Sequence, residues 1–204
     1  MVDWALENVS PTTNPSVLEI GCGNGTLVLA FSEAGYATTH LSGIDYSPGA
    51  IKLAMSIAAT RGEGITFNSC DFLKEDPPIL SHMKEGVWDL LLDKGTFDAI
   101  ALGEKDEKGQ SPAVNYPGRI QKLLAPGGCF LITCTCMPKV CVLQCYEQFP
   151  RTSMQFYRDR IEGSVRNDRD RSSVSVSSCC RLLEEPALTP PKLPNTTPHI
   201  QLWW

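Results

Sequence analysis

The chain has 204 residues, 42% of them hydrophobic and 20% charged, with nine cysteines and a formal charge of −5. That length suits one domain with an extension. The acidic balance excludes a general nucleic-acid binder, the odd cysteine count excludes a disulfide scaffold, and no apolar run reaches the roughly eighteen residues of a membrane span. The opening Met1-Val2-Asp3-Trp4 lacks a basic-then-apolar signal, so a reducing compartment, no secretion and no membrane anchor are the expectation.

Short apolar runs and amphipathic segments alternate through the first 150 residues. Val17–Ile20 reads as a strand that ends in Gly-Cys-Gly-Asn-Gly, and a helical pattern follows from Thr26 to Ala34. His40–Asp45 reads as a second strand. Ser47 and Pro48, an N-cap followed by a first-turn proline, then open a helix to about Thr60. Ile65–Cys70 is a third strand. Trp88–Leu92 is a fourth, apolar but for Asp89, as a strand buried on both faces should be. Tyr116–Leu124 reads as helix, and Pro126-Gly127-Gly128 turns into a fifth strand at Cys129–Thr133. Five strands separated by helices point to a parallel, doubly wound, Rossmann-like α/β sheet.

The remainder changes character. Residues 1–150 carry 10 Lys+Arg against 17 Asp+Glu, a net −7, whereas 151–204 carry 8 against 6, a net +2. Arg and Asp dominate Arg151 to Arg171, a Ser/Val run spans Ser172 to Ser178, and five prolines fall between Pro186 and Pro198. Little of this can bury a core, so residues 1–150 are taken as the folded domain and 151–204 as a poorly ordered Arg/Ser/Pro-rich tail.

In such sheets ligands bind outside the carboxyl ends of the strands, near the point where strand order reverses. After the first strand come Glu19, Gly21, Gly23 and Gly25, spaced E-x-G-x-G-x-G. Asp45 ends the second strand, where a carboxylate can accept both hydroxyls of an adenosine ribose. Asp71 and Phe72 follow the third; the acid can accept from an adenine amino group and the ring can lie against the base. After the fourth comes Asp93-Lys94-Gly95-Thr96-Phe97-Asp98. The phosphate-loop pattern lacks its Gly-Lys-Ser/Thr, and Thr26 stands where the dinucleotide fingerprint has its last glycine. A pyrophosphate beside four acids would face uncompensated charge. S-adenosylmethionine carries a sulfonium and an ammonium and no phosphate, so an acid-lined pocket suits it better. Cys134, Cys136, Cys141 and Cys145 have C-x-C and C-x3-C spacing rather than the C-x2-C pairs typical of zinc, and His40, His82 and His199 have no partner motif, so no metal is expected.

Val17 to Gly25, Gly43-Ile44-Asp45-Tyr46-Ser47-Pro48 and Asp71-Phe72 together resemble the seven-strand, S-adenosylmethionine-dependent methyltransferases. The run Asp93 to Ile100 is narrower. It resembles the methyltransferase-like proteins that methylate lysine on translation elongation factor 1-alpha, in the branch of fungal elongation factor methyltransferase 4 and human elongation factor 1-alpha lysine methyltransferase 2. The resemblance covers about residues 1–133. It implies S-adenosyl-L-methionine bound by Glu19, Gly21, Gly23, Gly25, Asp45, Tyr46, Asp71 and Phe72, with Asp93 as the catalytic residue that orients the lysine amine. It further implies a monomeric protein-lysine N-methyltransferase acting on a cytoplasmic translation factor, with some nuclear presence.

Two departures from that family are expected to matter. A tryptophan- and glycine-rich segment normally precedes the first strand, and two antiparallel strands normally follow the fifth. The fold is therefore expected to be incomplete at both ends. Ile200 to Trp204, read one base later, can encode Phe-Ser-Phe-Gly-Gly, like the family's ending, so the tail is expected to include retained intron or frame-shifted coding sequence. An inactive methyltransferase-like fragment or scaffold, and a methyltransferase with another acceptor, stand as the alternative functions.

Overall fold

A computed structural model of the chain describes residues 1–61, 64–83, 85–133, 154–157 and 199–203. The first helix, α1 (Val2–Asn8), buries Trp4 and Ala5. The strand β1 (Val17–Ile20) has all four residues buried and leads through the glycine turn to α2 (Thr26–Glu33). Then come β2 (Leu41–Asp45), α3 (Pro48–Arg61), β3 (Thr66–Ser69), β4 (Trp88–Lys94), α4 (Thr96–Ala101), α5 (Tyr116–Leu123) and β5 (Leu124–Thr133). Two short strands follow among the described residues, β6 (Met154–Tyr157) and β7 (His199–Trp203).

The strand order is β3-β2-β1-β4-β5-β7-β6, and every pairing is parallel. The chain winds outward from β1 through β2 to β3, then returns to the other side of β1 with β4. The reversal between β1 and β4 is the switch point. It is sewn at the amino-terminal edge by Asp89, whose carboxylate accepts from the Ser16 amide and hydroxyl, both at 2.8 Å, before β1 pairs Ile20 with Asp93 at the other end.

Alternation along the central strands divides the core. Leu18, Ile20, Ile44, Leu91, Phe130 and Ile132 face one side, with Phe97, Tyr116 and Ile120 packed on them. Val17, Leu41, Leu90, Leu92 and Leu131 face the other, covered by Trp4, Val28, Phe31 and Ile51. This is the two-faced burial that a parallel sheet requires.

Several boundaries follow directly from local chemistry. The Ser47 hydroxyl accepts from the Ala50 amide at 3.3 Å, and Pro48 is the first residue of α3, as the sequence predicts. β5 begins five residues before the expected Cys129. Leu124 pairs with Trp88 and Cys129 with Leu90, so Pro126-Gly127-Gly128 loops out of a continuing strand, Gly127 taking a φ of 78°. The six-residue α4 was not expected, because its sequence reads as a site loop.

β6 and β7 lie within the stretch expected to be a tail. Met-Gln-Phe-Tyr and His-Ile-Gln-Leu-Trp are runs of strand-favouring residues set in polar surroundings. The other residues of that stretch, and Cys134, Cys136, Cys141 and Cys145, lie outside the described residues. Among the described residues no group of three or more potential ligands could hold a metal, and no helix is long and apolar enough to cross a membrane.

Candidate active site

The glycine turn after β1 bends the backbone away from the strand axis. Gly21, Gly23 and Gly25 have φ of 69°, 54° and 77°, all in the left-handed region. At Gly21 the requirement is double, because a Cβ there would stand 1.9 Å from the Thr96 hydroxyl. That hydroxyl donates to the Ile20 carbonyl at 2.8 Å. The switch point is thus a tight join of β1 to the start of α4.

Asp45 fixes the turn from the neighbouring strand. Its Oδ2 accepts from the Gly23 amide and its Oδ1 from the Ser47 amide, each at 2.9 Å. An ionised carboxylate offers about four acceptor positions, so two stay available to a ligand. Asp71 is placed after β3, where its Oδ1 accepts from the Leu73 amide at 3.1 Å and its Oδ2 pairs with Lys74 at 2.9 Å. Lys74, ahead of the Leu73 amide, holds the Asp71 carboxyl below its ordinary pKa.

These elements enclose a cavity of about 370 Å³ at the carboxyl ends of β1, β2 and β3. That size falls at the lower end of the roughly 300–1,000 Å³ usual for small-molecule sites. Gly21, Asp45, Tyr46, Asp71 and Phe72, all expected from the sequence, line it. Phe72 is buried, whereas Tyr46 is 82% exposed and stands at the rim. Thr96, Ala99 and Ile100 supply a further wall that sequence reasoning missed. The signal was present in Asp93 to Ile100, read there as a motif without its helix.

Glu19, Gly23, Gly25 and Asp93 stand behind this lining. Glu19 is buried on the α2 side, with its Oε2 accepting from the Val28 amide at 3.2 Å. Burial dominates its ionisation and pushes its pKa up to about 8, against the lowering effects of that amide and Lys94.

Asp93 is fully buried. Its Oδ1 accepts from the Thr96 amide at 2.8 Å, its Oδ2 from the Phe97 amide at 3.0 Å, and its Oδ2 also from the Tyr116 hydroxyl. Burial raises its pKa to about 7 in spite of those three donors. Both oxygens are therefore turned toward α4 and α5. Asp93→Ala removes the acceptor shared by the Thr96 and Phe97 amides and the Tyr116 hydroxyl, at about 1–3 kcal/mol for each lost bond, less what relaxation and water recover. The expected loss is about 3 kcal/mol in urea unfolding, and a loss below about 1 kcal/mol would mean that α4 is held by something else.

The family described as "Methyltransferase domain" matches residues 11–177. The chain belongs to the methyltransferase-domain family. The matched range includes every residue of the cavity and its supporting shell. Among curated proteins, this methyltransferase-domain chain is 34% identical over 139 residues to protein-lysine N-methyltransferase EFM4 of Saccharomyces cerevisiae, covering 65% of this chain and 58% of that protein. It is 34% identical over 134 residues to human EEF1A lysine methyltransferase 2, covering 65% of this chain and 52% of that protein. The chain thus spans less than two thirds of the length of the curated relatives it matches. Among solved structures, TehB from Haemophilus influenzae superposes with a TM-score of 0.51 at 17% identity, over 72% of this chain and 49% of that one, a likeness of fold.

Proposed function

We propose that this chain binds S-adenosylmethionine and methylates a lysine of translation elongation factor 1-alpha. The observation that carries the reading is the cavity at the switch point, with Asp45 at one strand end and Asp71 and Phe72 at the next. The names of the two relatives support the acceptor, which is a cytoplasmic protein in this reading.

The residues present fit that cofactor. Asp45 keeps two acceptor positions for ribose hydroxyls after holding Gly23 and Ser47. Phe72 offers an apolar face to a base, and Asp71 keeps acceptor capacity for its amino group. Gly21 brings bare backbone to the cavity, where any side chain would collide with Thr96. Among the described residues no lysine or arginine lines the cavity, which disfavours a phosphate and suits a cation. S-adenosylmethionine, when bound, supplies a methyl group activated by its sulfonium.

The protein must then deliver a neutral amine in line with that group. A free lysine has a pKa of about 10.4, so few molecules are neutral at pH 7. Removing the amine from water lowers that pKa, and positioning supplies much of the remaining acceleration. Asp93 contributes by holding Thr96 and α4 as the cavity wall, and so by orienting the amine indirectly.

Melting of the purified chain with S-adenosylhomocysteine tests the reading. A ligand at a hundredfold excess over its Kd stabilises the native state by about 2.7 kcal/mol. A clear rise in Tm is expected, and Asp45→Ala is expected to abolish most of it. Labelled methyl transfer from S-adenosylmethionine to a lysine of elongation factor 1-alpha should follow. No rise in Tm would sink the cofactor reading, and binding without transfer would sink the acceptor.

A further inference from the structure

We infer that Arg119 is a positioning residue for the base-recognition end of the pocket, clamping the Asp71–Asp76 turn so that the site selects adenine by its amino group. The inference rests on the cofactor reading above and assigns its nucleobase selectivity to a residue that does not line the cavity.

The turn after β3 is held internally by its own backbone. The Lys74 and Glu75 amides donate to the Asp71 carbonyl at 2.9 and 2.8 Å. These bonds give the turn a shape but do not attach it to the sheet. Cys70 makes one attachment, its amide donating to the Asp45 carbonyl at 2.9 Å. Arg119, one turn into α5, makes three more. Its Nε donates to the Phe72 carbonyl at 2.8 Å, one terminal nitrogen donates to the Glu75 carbonyl, and the other pairs with Asp76 at 2.7 Å. The guanidinium carbon stands 5.6 Å from the centre of the Phe72 ring.

One planar cation therefore holds the turn at residues 72, 75 and 76 at once. A lysine ammonium has three donors on a single atom and cannot span that set. The side chain is 16% exposed against 54% for Asp76; its bond to the Phe72 carbonyl is partly buried, while the bond to the Glu75 carbonyl and the ion pair lie on the wet side. Exposed pairs contribute little, which places the weight on the Phe72 carbonyl, the residue next to Asp71. Residues three before and three after extend the same helix face. The Tyr116 ring packs 5.0 Å from that of Phe72, and Lys122 reaches Asp76 at 2.6 Å. A site that reads one amino group needs its acceptor fixed to a fraction of an ångström, and Phe72 packing alone leaves the polar half of the turn unheld.

The test compares S-adenosylhomocysteine with S-inosylhomocysteine, which carries a carbonyl in place of the amino group, by calorimetric titration of the full chain. The unaltered protein is expected to prefer the adenine ligand by about tenfold or more. In Arg119→Met the preference should fall to within about twofold, mainly through weaker binding of the adenine ligand. Arg119→Lys, which keeps the charge but not the fork, should behave in the same way. Asp76→Asn, which leaves the carbonyl bonds, should keep the preference and covers the case in which Arg119→Met does not fold. Equal weakening of both ligands in the Arg119 variants would mean a merely structural role and overturn the inference. Equal affinities in the unaltered protein would overturn it too, with the cofactor reading intact. Failure of either ligand to bind that protein would remove the cofactor reading and this inference together.

Discussion

Gly21→Ala is expected to destabilise the chain by about 3 kcal/mol and to abolish cofactor binding. Two costs combine. An alanine in the left-handed region costs about 1–2 kcal/mol more than a glycine. The new methyl would also stand 1.9 Å from the Thr96 hydroxyl and 2.9 Å from its Cβ, so Thr96 must rotate and release the Ile20 carbonyl. Overpacking of this kind costs about 1–3 kcal/mol. For a domain of this size the sum lowers Tm by about 10 °C. Adding Thr96→Ala removes the oxygen but keeps the Cβ, so the double variant should recover about 1 kcal/mol relative to additivity. Additive losses would mean that the two residues do not share the strain, and a Gly21→Ala protein of normal stability would contradict the join itself.

The second large effect is a decline in stability as pH rises. Glu19 has an ordinary value of 4.5 and is pushed up to about 8, and Asp93 rises from 3.8 to about 7, both chiefly by burial. Each native carboxyl therefore keeps a proton that the unfolded chain has already released. The stabilisation is complete below the unfolded values, diminishes between about pH 4 and 8, and is gone above the folded values. Asp71 and Asp76 are shifted the opposite way by Lys74 and by Lys122 with Arg119, but they are solvated and count for little. Urea midpoints measured from pH 5 to pH 9 should fall. In Glu19→Gln, which keeps an acceptor for the Val28 amide, the fall should be shallower and the protein more stable at pH 8 by about 1 kcal/mol or more. A flat profile would mean that water reaches both carboxyls.

The parts legible in the sequence are those whose causes lie close together along the chain. Val17–Ile20 was bounded correctly because three apolar residues around Glu19 run directly into glycines. The Ser47 cap and Pro48 start were legible because a helix terminus is decided within four residues. Asp45, Tyr46, Asp71 and Phe72 could be placed at one cavity because strand order in a doubly wound sheet brings those ends together. What escaped depends on partners far along the chain. Asp93 looked like a group facing the reaction, yet its donors include Tyr116, 23 residues away, and it turns inward. Arg119 reads as an ordinary charge on an amphipathic helix until Phe72, 47 residues earlier, arrives at 2.8 Å. Pro126-Gly127-Gly128 looked like the turn before a strand, because nothing local shows that Leu124 already pairs with Trp88.

The join between β1 and β4 also has a consequence for synthesis. Its bonds connect Ser16 to Asp89 and Ile20 to Thr96, separations of 73 and 76 residues. Parallel pairings over such distances pay their loop-closure entropy before any contact rewards it, and they form slowly. A nascent chain has β1, β2 and β3 available early but no floor for its pocket until Thr96 has emerged from the ribosome. Ligand affinity thus arrives late and all at once, so a cofactor present during refolding acts on the last closure and slows reopening, leaving the early collapse unchanged.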